Sequence, residues 1–163
     1  MTNNDILRRL RYIFDFGDSK MIALFGLADH QVTREQISNW LKKDDDPAYY
    51  ECKDTQLAIF LNGLINDKRG KKEEAQPEPE SHLTNNIIFM KLKIALNLRA
   101  EDVLKIMELA GFRMSRHELS AFFRRPGHKH YRECKDQILR NFLKGMQLKY
   151  RDNIELKVGS ERT

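Results

Sequence analysis

The chain has 163 residues, of which 40% are apolar and 33% are charged, and its formal net charge is +5. This composition is typical of a soluble globular protein and excludes collagen-like or low-complexity chains. The longest apolar stretch, residues 21–28, is too short to span a bilayer, and the polar start lacks the pattern of a secretory signal. We therefore expect a cytoplasmic protein with no membrane partner.

The chain begins with a predicted helix at about residues 6–14. Ile6, Leu10 and Ile13 recur at the spacing that places side chains on one face of a helix. An asparagine pair at positions 3 and 4 precedes this face, and asparagine side chains accept hydrogen bonds from the first N–H groups of a helix. We therefore expect the asparagine pair to cap the first helix.

Two further helices are predicted before residue 44. The second covers about residues 19–28, and either Asp18 or Ser19 can cap it. The third has a capping box at its start, because Thr33 is followed three residues later by Gln36. Two helices joined by a short turn at this point resemble a helix-turn-helix motif.

A fourth helix is predicted at residues 53–68, with Leu57, Phe60 and Leu61 on its core face. The next segment, residues 70–84, contains two prolines and many charged residues. It has too few apolar side chains to form a core, so we predict a charged Pro/Glu linker. No segment alternates between polar and apolar residues for long, and we expect no sheet.

The same pattern then begins again. Residues 3–69 align with residues 85–151 without a gap, and 18 of the 67 positions are identical. Such self-similarity indicates an internal duplication. The predicted fold is therefore all-α, with two tandem, pseudo-equivalent helical domains of about four helices each. The first repeat covers residues 1–69, the second covers residues 85–151, and a flexible tail follows at residues 152–163.

The duplicated unit has a Leu-Ala pair near a turn, then a Thr-Arg or Ser-Arg pair, an Ile-Ser or Leu-Ser pair, and a Tyr-x-Glu-Cys-Lys-Asp segment at residues 49–54 and 131–136. In these features it resembles the YehS-like family of small cytosolic bacterial proteins. The resemblance extends from residue 1 to about residue 152 and implies a tandem all-helical fold in a bacterial protein. It implies no reaction, ligand or catalytic residue, so the prediction of function depends on the residues themselves.

The charge of the chain is unevenly distributed. Residues 85–151 carry 15 Lys and Arg against 6 Asp and Glu, whereas residues 1–72 carry 12 against 11. A strongly basic domain is expected to bind an anionic partner such as nucleic acid, because its cations neutralise phosphates and release their counterions. The alternative is a solvated basic face that keeps the protein soluble.

The candidate nucleic-acid-binding residues lie in and after the third helix of each repeat. In a helix-turn-helix motif the start of this helix enters the major groove, where Arg and Asn can bind base edges and Lys can neutralise phosphates. The acidic run at residues 44–46 would weaken the first repeat in this role. The candidates are Arg34, Asn39 and Lys42 in the first repeat, and Arg116, Arg124, Arg125, Lys129 and Arg132 in the second.

Cysteine and histidine raise two further hypotheses. Cys52 and Cys134 occupy equivalent positions, where each is either a nucleophile activated by the adjacent lysine or a small buried packing residue. We favour packing, because no histidine base is nearby in the first repeat. His117, His128 and His130 with Cys134 are zinc-binding types, but their spacing matches no zinc motif. We therefore predict no catalytic residue, no metal and no cofactor.

The sequence thus predicts a non-enzymatic binding protein, nucleic-acid-binding or regulatory, that acts through its basic second repeat. The alternative is a helical protein–protein adaptor or a homodimer with no nucleic-acid role, in which an apolar groove binds a partner helix. The sequence contains no glycine-rich phosphate loop and no nucleophile elbow, so we expect neither an enzyme nor a small-molecule substrate.

Overall fold

The computed structural model describes residues 1–154, and every regular element in them is helical. The predicted all-α fold is therefore confirmed, with four helices in each repeat. The helices are α1 (Asn3–Phe14), α2 (Asp18–Leu27), α3 (Arg34–Leu41), α4 (Asp54–Arg69), α5 (Asn85–Ala95), α6 (Ala100–Leu109), α7 (Arg116–Ala121) and α8 (Asp136–Met146), followed by a π-helical turn (Gln147–Arg151). Most of the predicted tail, from residue 155, lies outside the described residues.

The helices form two compact units that differ in extent from the sequence repeats. The first unit is Met1–Asn97 and contains α1–α5, and the second begins at Leu98 and contains α6–α8. The first helix of the second repeat, α5, therefore belongs to the first unit, where it packs on α4. Its packing face consists of Ile88, Phe89 and Leu92, which are all buried.

The third helix of each repeat begins at the predicted capping box. The Thr33 hydroxyl accepts a hydrogen bond from the Gln36 N–H at 3.1 Å, and the Gln36 side chain accepts one from the Thr33 N–H at 2.8 Å. Ser115 and Glu118 make the same reciprocal pair, with both distances 3.0 Å. Each box satisfies two N–H groups that the first turn of a helix leaves without a partner.

The first helix of each repeat is capped by threonine, so the prediction that the asparagine pair caps it was wrong. The Thr2 hydroxyl accepts from the Asp5 N–H at 3.0 Å, and the Asp5 carboxylate accepts from the Thr2 N–H at 3.0 Å. Thr84 caps α5 in the same position, accepting from the Ile87 N–H at 3.2 Å. The Thr-x-x-Asp capping box places the two asparagines inside the helix, where their side chains are free to bind elsewhere.

The second helix also begins one position from where the sequence predicted. Gly17 is the N-cap of α2 and has no side chain to accept a hydrogen bond, so the prediction of a cap by Asp18 or Ser19 was wrong. At the turn after α2, Asp29 has a φ of 59°, and the equivalent Gly111 has a φ of 77°. Aspartate is one of the few residues that tolerate this left-handed conformation, so the first repeat makes the turn without glycine.

A glycine lies where two helices approach closely in each repeat. Gly63 in α4 lies against the backbone of α2, and a Cβ atom at this position would overlap the Leu24 carbonyl oxygen. Gly145 in α8 has the same relation to the carbonyl oxygen of Ile106 in α6. Both pairs are equivalent under the shift of 82 residues, so the two repeats share one helix crossing. Only glycine allows the two backbones to approach this closely.

The core of the first repeat contains a cluster of three aromatic rings. The Phe25 ring lies 5.5 Å from the Trp40 ring and 5.4 Å from the Phe60 ring, measured between centroids. The predicted core face of α4 is confirmed, because Leu57, Phe60 and Leu61 are buried.

Within residues 1–154, no helix combines the length and the apolar character that crossing a bilayer requires.

Residues 70–84 contain no helix and are held at their C-terminal end by the first unit. The Leu83 N–H donates to the Asp54 carboxylate at 2.9 Å. The Lys91 ammonium, whose side chain is 13% exposed, lies 3.1 Å from the Glu80 carboxylate and 2.6 Å from the Asn62 side-chain oxygen. The segment is therefore joined to α4 and α5 by specific polar contacts.

Candidate nucleic-acid interface

The Tyr-x-Glu-Cys-Lys-Asp segment of the first repeat is held by a buried asparagine of α1. Asn4 is 1% exposed. Its side-chain nitrogen donates to the Trp40 carbonyl at 2.9 Å and to the Tyr50 carbonyl at 2.8 Å, and its side-chain oxygen accepts from the Cys52 N–H at 2.9 Å. One side chain thus joins α1, the end of α3 and the segment that leads into α4. In the first repeat, the asparagine and the segment therefore belong to one hydrogen-bond network.

The neighbouring asparagine fixes the start of α4. Asn3 donates to the Cys52 carbonyl at 3.0 Å and to the Asp54 carboxylate at 2.7 Å. The hydrogen bond from Asn3 to the Asp54 carboxylate, together with the one from the Leu83 N–H, holds the pKa of Asp54 below its ordinary value, although partial burial acts in the opposite direction. The ionised carboxylate also stands at the positive end of the α4 dipole. The segment therefore has a structural role at this helix start.

Both cysteines are packing residues, as the sequence suggested. Cys52 is 1% exposed and Cys134 is 2% exposed. Burial, reinforced by the adjacent charges of Asp54 and Asp136, raises the pKa of each thiol to about 12. Since only the thiolate is a nucleophile, we expect both cysteines to react slowly with iodoacetamide in the folded protein at neutral pH.

The loop after the third helix has the same backbone hydrogen bonds in both repeats. We call residues 42–51 the acidic loop and residues 124–133 the cationic loop. Three backbone N–H groups of the acidic loop donate to carbonyl oxygens, and each bond has an equivalent in the cationic loop. Asp46 donates to Lys43 as His128 donates to Arg125, both at 3.0 Å, and Tyr49 donates to Asp46 as Tyr131 donates to His128, both at 2.9 Å. Tyr50 donates to Asn39 as Arg132 donates to Ala121, both at 3.1 Å. The two loops therefore have one hydrogen-bonding scaffold.

The two loops carry opposite charge. The acidic loop has two lysines against four carboxylates, and the cationic loop has three arginines and one lysine against one carboxylate. The acidic residues of the first loop at positions 44–46 are all exposed, as are the cations of the second. Because the backbone is the same, the difference lies in the side chains that face solvent.

The arginine at the start of each third helix is paired with a carboxylate of the same unit. The Arg34 guanidinium lies 3.3 Å from the Asp18 carboxylate, and the Arg116 guanidinium lies 2.7 Å from the Glu101 carboxylate. Both carboxylates belong to the first turn of the preceding helix. The pKa of Glu101 is lowered first by a backbone N–H and then by nearby arginines, including Arg116. These two candidates therefore have an acidic neighbour where a base edge or a phosphate would have to bind.

The other two candidates of the first repeat lie at the end of α3. Asn39 and Lys42 are both half-buried, and the Lys42 carbonyl accepts a hydrogen bond from the Arg8 guanidinium at 3.3 Å. The acidic run at residues 44–46 follows immediately. Lys42 therefore lies two positions before three carboxylates in the chain, and the Asn39 carbonyl accepts the Tyr50 N–H.

The remaining candidates lie together in the cationic loop. Arg124, Arg125 and Lys129 are exposed, and no carboxylate within residues 1–154 lies at ion-pair distance from them. The Arg132 guanidinium lies over the Phe122 ring, 5.9 Å from its centroid. The backbone turns bring both ends of the loop together at Ala121. Four of the five candidates in the second repeat thus share one small surface.

Three histidines also come together at this surface. The His130 ring lies 6.4 Å from the His117 ring and 5.6 Å from the His128 ring, and the His130 N–H donates to the His128 Nδ1 at 3.0 Å. Sequence spacing did not show this cluster, because His117 belongs to α7 and the other two belong to the loop. Among the described residues, no group of three His, Cys, Asp or Glu side chains is arranged to hold a metal ion.

The helices and the shared crossing define an all-α protein built from two tandem copies of one helical unit. The family model described as "Protein of unknown function (DUF1456)" matches residues 3–70 and again residues 85–152. The chain belongs to this family, which confirms the resemblance seen in the sequence. It is 45% identical over 147 residues to "Uncharacterized protein YehS" of Escherichia coli (strain K12), covering 90% of this chain and 94% of that protein. No solved structure matches the chain.

Proposed function

We propose that this protein is a non-enzymatic nucleic-acid-binding protein that holds the phosphate backbone with its cationic loop. The observation that supports this most strongly is the concentration of exposed Arg124, Arg125 and Lys129, without carboxylate partners in residues 1–154, on a hydrogen-bonded turn. Unpaired cations on a fixed scaffold bind phosphates with little loss of conformational freedom, and they release counterions when they do so.

The proposed contacts are to phosphates rather than to base edges. Helix α7 has only six residues, and the arginine at its start is neutralised by Glu101. The unpaired cations follow the helix, in the loop, where they suit the sequence-independent contacts that position a protein on nucleic acid. We therefore expect weak dependence on base sequence and strong dependence on salt.

The alternative of a protein adaptor leads to a different surface. It needs a continuous exposed apolar patch, which is typical of protein–protein sites. The large apolar side chains that are exposed within residues 1–154 are Tyr12, Tyr50, Ile94 and Ile154, which belong to four separate elements. The four arginine and lysine cations of the cationic loop, in contrast, all lie within residues 124–132, and for this reason we favour nucleic acid.

The proposal is tested by fluorescence anisotropy with a labelled single-stranded DNA of about 20 nucleotides, titrated with the full-length protein at salt concentrations from about 50 to 300 mM. We expect binding at low salt that weakens steeply as salt rises. An RNA and a duplex DNA of the same length test whether the nucleic-acid type matters. The absence of binding at low salt to all three probes would overturn the proposal.

A variant assigns the binding to the loop. We expect the combined substitutions Arg124→Gln, Arg125→Gln and Lys129→Gln to weaken binding about tenfold or more and to reduce the slope of log Kd against log salt by about two. The matched control is Lys42→Gln with Lys43→Gln in the acidic loop, which should leave both quantities nearly unchanged. Equal losses in the two variants would show that net charge, and not this loop, determines binding.

A further inference from the structure

We infer that His117, His128 and His130 make phosphate binding by the cationic loop dependent on pH, with tighter binding in mildly acidic solution than in mildly basic solution. This inference rests on the proposed function, because it concerns the strength of the same site. Histidine is the side chain that ordinarily changes its charge between about pH 5 and pH 8. Three of them on one surface can therefore raise its charge by as much as three units, with protonation of His128 breaking the hydrogen bond that its Nδ1 accepts from the His130 N–H.

The geometry places the three rings among the phosphate-binding cations. His128 and His130 flank Lys129 within the loop, and their ring centroids are 5.6 Å apart. His117 reaches the same place from α7, with its ring centroid 6.4 Å from that of His130. All three side chains are exposed, so each is accessible to a phosphate bound to the loop.

The cluster is specific to the second repeat. The residues equivalent to His117, His128 and His130 in the first repeat are Glu35, Asp46 and Ala48. One contact of the cluster nevertheless has an equivalent there, because the Asp46 carboxylate accepts the Ala48 N–H at 2.8 Å, as the His128 Nδ1 accepts the His130 N–H at 3.0 Å. The turn is thus preserved while the group that closes it has changed from an anion to an imidazole.

The charged groups around the cluster come from three elements. Helix α7 contributes Arg116 and Glu118, and α6 contributes Glu101, which is paired with Arg116. The Glu118 carboxylate has a lowered pKa, chiefly because it accepts the Ser115 N–H, with smaller effects of Arg132 and His117. The Glu133 carboxylate and the Lys135 ammonium are paired with each other at 3.1 Å. The other charged residues of the loop are Arg124, Arg125, Lys129 and Arg132.

The bound phosphate determines the direction of the pH effect. Its negative charge favours the imidazolium form of a histidine beside it. Protonation and binding therefore favour each other, as linkage requires. Affinity rises as pH falls through the histidine range, and the complex takes up protons when it forms.

The test is the anisotropy titration with single-stranded DNA at pH 5.8 and at pH 8.0, at one ionic strength, with a chelator present. We expect affinity to be about tenfold higher at the lower pH, as up to three more cations contact the backbone. Titration calorimetry in two buffers with different ionisation enthalpies should show net proton uptake at intermediate pH. Circular dichroism at both pH values establishes that the fold is the same.

The decisive variant replaces His117, His128 and His130 with glutamine, which retains hydrogen-bonding capacity but cannot be protonated in this range. We expect it to bind at pH 8.0 nearly as the unsubstituted protein does and to lose the gain at pH 5.8 together with the proton uptake. His82→Gln is the matched control, because His82 is exposed in the first unit, and it should retain the full gain. Arg124→Gln with Arg125→Gln should weaken binding at both pH values and retain the pH dependence.

The outcomes separate this inference from the proposed function. Binding of equal strength at both pH values, or a pH dependence that survives in the triple glutamine variant, would overturn the inference and leave the proposed function intact. Binding that appears only when a transition metal ion is added, and disappears with the chelator, would also overturn it in favour of a metal-bridged cluster. No binding at either pH would overturn both.

Discussion

The acidic loop and the cationic loop are two versions of one structural element. They share three backbone hydrogen bonds. In each loop a side chain also accepts the N–H of the residue two positions later, namely Asp46 from Ala48 and His128 from His130. They differ in the sign of their charge, since one carries four carboxylates and the other carries four arginine and lysine cations. The backbone of this loop is therefore independent of the charges that it presents, so the charges were free to diverge after duplication.

The independence has a physical cause. The loop is held at its base by main-chain hydrogen bonds and, in the first repeat, by the buried side chain of Asn4. The charged side chains point to solvent, where the interaction energy of an individual pair is small. Histidine at position 128, where the first repeat has Asp46, retains an acceptor for the turn in its neutral form, so the scaffold tolerates a change from an anion to a neutral imidazole.

The largest loss of stability is expected at the two glycines of the shared helix crossing. We expect Gly63→Ala and Gly145→Ala each to destabilise the protein by about 3 kcal/mol, because the new Cβ would overlap a backbone carbonyl oxygen that cannot move alone. Urea unfolding followed by circular dichroism measures this. Gly26→Ala is the control, since no atom lies within 4 Å of its added Cβ, and it should be neutral or stabilising. A tolerated alanine at position 63 or 145 would contradict the shared crossing.

A smaller loss is expected when the base of the acidic loop is released. Asn4→Ala removes three hydrogen bonds and leaves the Cys52 N–H and two carbonyl oxygens without this partner in a buried place. We expect a cost of about 2 to 3 kcal/mol in urea unfolding. Asn3→Ala, which removes two bonds that are only partly buried, should cost less. Equal costs for the two substitutions would show that the burial of Asn4 is unimportant.

The smallest expected effect is a loss of thermal stability at low pH, to which Asp54 contributes. Because the pKa of Asp54 is lower in the folded protein than in the unfolded chain, its contribution to stability is complete above the unfolded pKa and disappears as the pH falls through the folded one. We expect the melting temperature to fall as the pH decreases below about 4, and to fall less in Asp54→Asn. Thermal unfolding at pH 6 and pH 3 measures both. Identical acid sensitivity in the two proteins would remove Asp54 from the account.

Much of the fold could be predicted because the same sequence signals occur twice. The capping boxes at Thr33 and Ser115 and the core face of α4 follow from local chemistry and periodicity, and the structure confirms them. The role of the asparagine pair could not be predicted in this way, since its partners are 36 to 51 residues away along the chain. A signal was nevertheless present, because the pair and the Tyr-x-Glu-Cys-Lys-Asp segment recur together.

The candidate site was predictable in its residue types but not in its arrangement. The basic character of residues 124–132 is visible in the sequence, whereas the pairing of Arg34 with Asp18 and of Arg116 with Glu101 depends on how two helices meet. Similarly, spacing could not reveal that His117 lies beside His130, because α7 and the loop come together only in the folded chain. The candidate cations without a carboxylate partner in residues 1–154 therefore lie in the loop after the third helix and not at its start.

The most direct test replaces residues 124–132 of the cationic loop with residues 42–50 of the acidic loop. Residues 124–132 and residues 42–50 have the same length and the same backbone hydrogen bonds, so each can replace the other without a change of register. With the acidic segment in both places, we predict that affinity for single-stranded DNA at low salt falls about tenfold or more while the melting temperature changes by only about 5 °C. Unchanged affinity in this folded variant would contradict the account.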